Sequence, residues 1–468
     1  MRHPNPPPLS ADLAVRRDAD APRMPRWLLG PLALVILTLI VGRFMSLGTT
    51  PNGFYLDEAA IATQVVCLEK SQADFYGTAW PLYAPVLAGG YASAPLLYPA
   101  TLWTKVFGSS EAALRAFAGM HGLLAALAIA AAVGLTTRRW LAATLTLLLG
   151  LSSPWLFALS RVFWDPIVGV SWFAVALSAY WVARQADRPW KQRALLWSIA
   201  GIAGAAAAYA YPPVRIQLVV SGVFIALLDQ RWRRDPSALF GIGWLLVLGT
   251  PLAMLYLKDA SFSQRGNMLA IWNASWLGSI GAGLEDVPGI FLRNLLAHLD
   301  LEFLFWRGDI NLRHNSGYGG VIGPTEILAL LVGLALALRF VCSRDGLLLL
   351  CLFVAALLPA ALTRDYIPHT LRSLGAVAPL LLFLGLAVST ALQSRPPRQQ
   401  QGIVGLLLIT AGIWAWCYGS DYFGSYHERS QPYFAGAEHA ANPAPHIALS
   451  APYYLSRLGQ PLNCPGPQ

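Results

Sequence analysis

Ala94-Pro95-Leu96-Leu97-Tyr98-Pro99-Ala100-Thr101-Leu102-Trp103-Thr104-Lys105-Val106-Phe107 is the stretch that decides how this chain is threaded. It is apolar, yet shorter than the roughly 20 helical residues that cross a bilayer, and it carries Pro95, Pro99 and Lys105. Eleven longer apolar segments surround it, at 27–47, 113–135, 141–157, 167–183, 194–210, 214–228, 239–257, 321–340, 346–362, 373–392 and 403–418. If 94–107 is a further crossing, three basic clusters fall outside: Arg138/Arg139, Arg184/Arg188/Lys191/Arg193 and Arg231/Arg233/Arg234. If it is a helix lying on the outer surface, all three fall inside, together with the N-terminal arginines, Arg344, Arg395 and Arg398. Lys and Arg concentrate in cytoplasmic loops, so the second threading is expected, with the N-terminus inside and the C-terminus outside.

Composition agrees with that class. Hydrophobic residues make up 56% and charged residues 12%, where soluble domains carry about 25% charged residues. The sequence predicts an all-α polytopic membrane protein with about eleven transmembrane helices and interfacial helices in the first outer loop. A net charge of +9 would suggest an acidic partner for a soluble chain. Here it is topology signal, and no nucleic-acid partner is expected. The expected organisation is a cytoplasmic Pro/Arg-rich tail at 1–26, a transmembrane module at 27–257 whose first outer loop is 48–112, a long outer loop at 258–320, further transmembrane helices at 321–418 and an outer tail at 419–468. The first segment lacks a small-residue cleavage site and reads as a retained anchor. The five cysteines show no C-x-x-C spacing or paired framework; Cys67 and Cys464 fall on one side, where they could pair, and five unrelated free thiols are the favoured reading.

The unusual polar residues gather on the outer face. Tyr55-Leu56-Asp57-Glu58 stands shortly after the first span, and Ile61, Val65 and Leu68 follow at helical spacing. Asp57 therefore sits near a helix N-terminus, where backbone N–H groups favour negative charge. It is either a general base or a helix cap, and Glu58 is a second candidate acid. Arg161 and Asp165 close a short outer connection. Ionisable residues at span ends are usually functional or paired, and an Arg161–Asp165 ion pair at i,i+4 is the alternative to a site role. Arginine outside runs against the charge bias, and a phosphate would favour it because guanidinium pairs with phosphate bidentately. Arg215, Arg313, His314, His369 and Arg372 are the phosphate-binding candidates with Arg161, and Arg265, Arg293 and Arg307 lie outside too. The polar stretch Gly308-Asp309-Ile310-Asn311-Leu312-Arg313-His314-Asn315 is either part of this site or a solvated loop. Trp80, Tyr83, Tyr91, Trp164, Tyr209 and Tyr211 belong to an interfacial belt or stack on a sugar ring. There is no P-loop, no G-x-G-x-x-G after a strand and no metal-ligand cluster at fixed spacing.

With these residues in place, the chain resembles the GT-C superfamily of membrane glycosyltransferases, and within it family 39, which includes protein O-mannosyltransferases and lipid A aminoarabinose transferases. The resemblance runs from the first span to the eleventh. It is carried by Asp57-Glu58 in the first outer loop, the 94–115 stretch with Phe107-Gly108-Ser109-Ser110, Asp165-Pro166 opening the fourth span, Ala210-Tyr211-Pro212-Pro213-Val214-Arg215, Gly308-Asp309 with Arg313-His314-Asn315, and Pro368-His369 with Arg372. It implies a GT-C fold and transfer of a sugar from a polyprenyl-phosphate donor to a lipid, glycan or protein acceptor outside the cytoplasmic membrane of a bacterium. It also implies Asp57 as the base, Asp165 in the same cavity, and inversion in one displacement. Related chains often carry a charged residue before the Pro-containing surface helix, where this one has Ala92-Ser93-Ala94. No essential metal or other cofactor is therefore expected. The alternative is a transporter or lipid flippase, which would line a mid-membrane path with polar residues. Intramembrane charges are scarce and no inverted repeat is evident.

Overall fold

In a bilayer every backbone N–H and C=O must be satisfied within its own segment, so long apolar runs become helices. A computed structural model of the chain describes residues 26–185, 187–435, 450–457, 459 and 461–466. Apart from Arg26, the expected N-terminal tail lies outside the described residues.

In chain order the elements are α1 (Arg26–Phe44), α2 (Leu56–Ser71), β1 (Tyr83–Pro85), β2 (Tyr91–Ser93), α3 (Ala94–Phe107), α4 (Glu111–Thr137), α5 (Trp140–Ser152), α6 (Pro154–Leu159), α7 (Asp165–Ala183), α8 (Trp190–Ala210), α9 (Pro212–Leu228), α10 (Ala238–Lys258), α11 (Ser261–Leu269), α12 (Ala274–Ser279), α13 (Val287–His298), α14 (Pro324–Leu336), α15 (Leu338–Val341), α16 (Arg344–Ala361), α17 (Val377–Gln393), α18 (Pro397–Phe423), α19 (Ser425–Phe434) and α20 (Ala451–Arg457). β1 and β2 form one antiparallel hairpin, with Tyr83 opposite Ser93. Proline opens α7, α9, α14 and α18, where its missing N–H costs nothing.

Among the described residues, eight helical segments are long and apolar enough to cross a bilayer, and α5, α9 and α14 are shorter apolar helices. Together they stand at the eleven expected positions. The 94–107 stretch is a helix, α3, with the expected bounds. The apolar window of α7, and that of α17 with the turn before it, are each 89% buried, against 17% for α10. The first two form the centre of the bundle, and α10 presents its surface to the surroundings. Small residues let helices approach closely. A Cβ at Gly201 of α8 would meet the Gly241 carbonyl of α10 at 2.2 Å.

Charged residues sort to two ends. At the end where α7 finishes, Arg184 bridges Asp229 and Asp345 at 3.2 Å each, Arg231 pairs with the same two acids, and Arg138 pairs with Asp187. At the end where α7 begins lie α2, the β1–β2 hairpin, α11, the 308–315 loop and the loop between α16 and α17.

Of the two readings of Cys67 and Cys464, the less favoured one holds: they form a disulfide with Cα atoms 5.2 Å apart. The pairing draws the chain's last described segment onto α2. Tyr454 Oη donates to Phe54 O at 2.6 Å, Ser450 Oγ to Leu56 O at 2.8 Å, and Tyr453 Oη to Ser109 O at 2.9 Å. A separation of 397 residues hides such a pair from any spacing argument.

Candidate active site

The two adjacent acids at the start of α2 take opposite roles. Glu58 is fully buried and accepts from Arg115 Nε at 2.9 Å, Arg115 Nη2 at 2.9 Å, Phe163 N at 2.9 Å and Tyr55 N at 3.0 Å. The last of these closes the N-terminus of α2. Every lone-pair direction of Glu58 is engaged, so its expected catalytic role is withdrawn and it is a structural anchor. Arg115 also donates to the carbonyls of Leu47, Pro51 and Gly53, which ties the loop between α1 and α2 to α4.

Asp57 is half-buried, and among the described residues its carboxylate makes no hydrogen bond. The capping alternative therefore fails, because Glu58 does that work. Arg265 from α11, Arg313 and His314 lie within electrostatic reach of Asp57. Burial lifts its carboxyl above the ordinary carboxylate range, Arg265 and Arg313 oppose that rise, and the Glu58 charge adds to it. Asp165, the first residue of α7, is also half-buried and lies within reach of Asp57, Arg265 and Arg215. Chain folding thus brings the two expected carboxylates to one place.

Arg161 does not join them. It is buried, and its Nη1 donates to Gly42 O at 2.9 Å and Arg43 O at 2.8 Å, while Nη2 donates to Met45 O at 2.7 Å and Thr50 O at 2.9 Å. These carbonyls end α1 and begin the following loop, so Arg161 serves as a C-terminal cap. Neither the expected phosphate role nor the i,i+4 pair with Asp165 is formed. Of the other expected cations, Arg313 and His314 lie near Asp57 and Arg215 near Asp165. Arg215 donates to Ala208 O at 2.7 Å and reaches the hydroxyls of Tyr256 and Tyr83. Arg313 lies 4.3 Å over the Tyr55 ring. Arg372 donates to Thr363 Oγ1 at 2.7 Å and lies near Tyr211 and Arg265.

The 308–315 loop is not solvated. Asp309, Asn311, His314 and Asn315 are all buried. Gly308 has φ +65°, and a Cβ there would meet Asn315 Nδ2 at 2.3 Å. Glycine is thus required for the turn that lets Asn315 donate to Arg307 O at 2.7 Å. His314 Nδ1 meets Asp309 Oδ2 at 2.9 Å, and the rings of His314 and His369 stack with centroids 4.6 Å apart. Burial pushes both imidazoles below the usual histidine range, and neighbouring charges, Arg372 among them, push His369 further down. Aromatic rings form a wall, with Tyr83 stacked on Tyr209 and Tyr91 on Phe262 at 4.3 Å.

Sequence reasoning placed Arg265 outside but assigned it no site role, and it missed Arg115 as the partner of Glu58. Arg265 carried a usable signal, as an arginine in a loop expected on the side where the charge bias disfavours one. Arg115 carried none, because the pairing spans separate helices.

No family model and no curated protein sequence matches the chain. Solved structures do share its fold. Apo ArnT from Cupriavidus metallidurans superposes with a TM-score of 0.54 at 13% identity, over 92% of this chain and 84% of that one. ArnT bound to undecaprenyl phosphate gives 0.53 at 14%, with the same coverage. The archaeal oligosaccharyltransferase AglB from Archaeoglobus fulgidus, in complex with an inhibitory peptide and a dolichol-phosphate, gives 0.53 at 15%, over 95% of this chain and 61% of that one. The chain thus spans about three fifths of AglB. At these identities the likeness shows the fold, and the molecule has the GT-C fold expected from its sequence.

Proposed function

We propose that this protein is a glycosyltransferase that moves a sugar from a polyprenyl-phosphate carrier to an acceptor at the outer face of a bacterial cytoplasmic membrane. The observation that carries this reading is Asp57. It is a half-buried carboxylate at a helix N-terminus, free of the capping duty next door and surrounded by arginines. A carboxylate held in that way serves a proton transfer better than a structural contact. The solved structures of like fold that hold undecaprenyl phosphate or dolichol-phosphate support a lipid-phosphate donor.

In this reading the acceptor nucleophile attacks the anomeric carbon as Asp57 takes its proton. The bond from the anomeric carbon to the phosphate oxygen breaks, the phosphate leaves with the electron pair, and the anomeric configuration inverts. Arg265, Arg313, Arg215 and Arg372 meet the charge that grows on the departing phosphate, an interaction stronger in the transition state than before it. Asp165 positions the acceptor or shares the proton. Tyr83, Tyr91 and Phe262 offer ring faces to the sugar. The charge bias of the loops supports an outward-facing site.

The test is transfer by the purified protein, with a polyprenyl-phosphate sugar supplied and products read by mass spectrometry. Comparison of envelope glycans and glycoproteins with and without the protein identifies sugar and acceptor. Movement of labelled donor across vesicles with no transfer to any acceptor would replace this reading with a transporter.

A further inference from the structure

Two loops distant in sequence meet beside the site. Asp309 and His314 come from the segment before α14, and His369 comes from the loop between α16 and α17. Their side chains are at most 8% exposed. Nδ1 of both imidazoles faces the same carboxylate oxygen, Asp309 Oδ2, at 2.9 Å from His314 and 3.9 Å from His369. One ligand atom from each residue lies within 4.8 Å of the others. We propose that Asp309, His314 and His369 form a binding site for one divalent metal ion of the zinc class.

The ligand set is two imidazole nitrogens and one carboxylate oxygen, which suits zinc rather than the all-oxygen shells of magnesium or calcium. Zinc bonds of about 2.0–2.2 Å in a tetrahedron set ligand atoms about 3.3 Å apart. The 3.9 Å pair therefore closes by about 0.6 Å and the 2.9 Å pair opens by about 0.4 Å. The stacked imidazoles, 20° apart, must also turn so that both ring planes meet at the ion, and His369 Nδ1 gives up the N–H of Arg372. The Nδ1 proton shared between His314 and Asp309 leaves on binding. Water takes the fourth position.

Supporting groups already orient the ligands. Asn311 N donates to Asp309 Oδ1 at 2.8 Å and Thr370 N to Oδ2 at 3.1 Å. His298 Nε2 accepts the backbone N–H of His369 at 2.9 Å, and its own ring is held by Asn294 O at 2.7 Å. Metal sites carry such a supporting layer. Arg313 and Arg372 are the nearby cations that oppose a metal, and the Asp309 carboxylate offsets part of that charge. The simpler account is a hydrogen-bonded Asp–His pair with a second imidazole stacked on it. That account predicts no metal.

The inference does not depend on the proposed reaction, and its test reads metal alone. Untagged full-length protein is stripped with a chelator and then titrated with Zn²⁺ alone or Co²⁺ alone. One zinc per chain is expected after gel filtration, with cobalt giving the intense visible bands of a four-coordinate site. Asp309→Asn and His369→Gln should keep wild-type helical content and elution while losing at least tenfold in zinc affinity, since even supporting groups cost about 10–100-fold. A His427→Ala variant should bind as wild type does. Stripped wild type that takes up no zinc, or gives no four-coordinate cobalt spectrum, overturns the proposal even if a variant fails to fold. Undiminished zinc in His369→Gln also overturns it, by showing adventitious binding elsewhere.

Discussion

Asp57 and Glu58 are neighbours of similar chemistry, and exchanging each for its amide should separate function from stability. Glu58→Gln keeps volume but removes the charge opposite Arg115, at a site with both side chains 0% exposed. Removing one partner of a buried pair costs about 3–5 kcal/mol. The Gln amide group also turns a donor toward Arg115 or the Phe163 N–H. Arg115 retains three carbonyl partners, so the loss should lie near the lower end, about 3 kcal/mol. Asp57→Asn loses no hydrogen bond, and its stability should change by no more than about 0.5 kcal/mol, apart from relief of a charge the fold disfavours. Its turnover should fall by about 10²–10⁴-fold. Thermal unfolding in detergent and a transfer assay with donor supplied give the two readings side by side. A Glu58→Gln protein as stable as wild type would refute the structural role of that pair. Near-normal turnover by Asp57→Asn would end its assignment as base.

Four further expectations follow from named contacts. Transfer should rise with pH along an acid limb set by Asp57, whose carboxyl is raised in the fold by burial. A raised pKa favours folding below the unfolded value, and that contribution is lost as pH rises through the folded one; an acid limb at or below the ordinary carboxylate range would count against this. Donor binding should weaken in Arg372→Ala and Arg313→Ala and recover in part with Lys, which keeps charge but not the forked donors; unchanged affinity in both alanine variants would remove them from the phosphate site. Cys67 and Cys464 should resist thiol labelling in unfolded protein until reduced, and Cys464→Ser should cost about 2–4 kcal/mol and expose the 450–466 segment to proteolysis; two freely labelled thiols would contradict the pairing. A single cysteine at position 138 should not be labelled from outside intact cells, and labelling there would reverse the threading.

The sequence by itself determined the class, the eleven helical positions and the placement of the polar residues outside the spans. Apolar run length and loop charge are local quantities, and a bilayer acts on each segment almost independently of the rest. For the same reason the 94–107 helix was legible from its length, prolines and flanking charges. Tertiary structure alone decided which polar residues are chemical and which are structural. Glu58 has a local capping contact with Tyr55 N, but only the arrival of Arg115 from α4 occupies the rest of that carboxylate and leaves the neighbouring Asp57 without a hydrogen bond. Arg161 reads from sequence as a phosphate-binding group, but the carbonyls at the end of α1 and in the loop after it engage both ends of its guanidinium. The Cys67–Cys464 bridge and the meeting of Asp309 and His314 with His369 join residues whose separation carries no spacing signal. Such contacts are set by how helices pack, and packing depends on shape complementarity between segments that a linear reading does not place side by side.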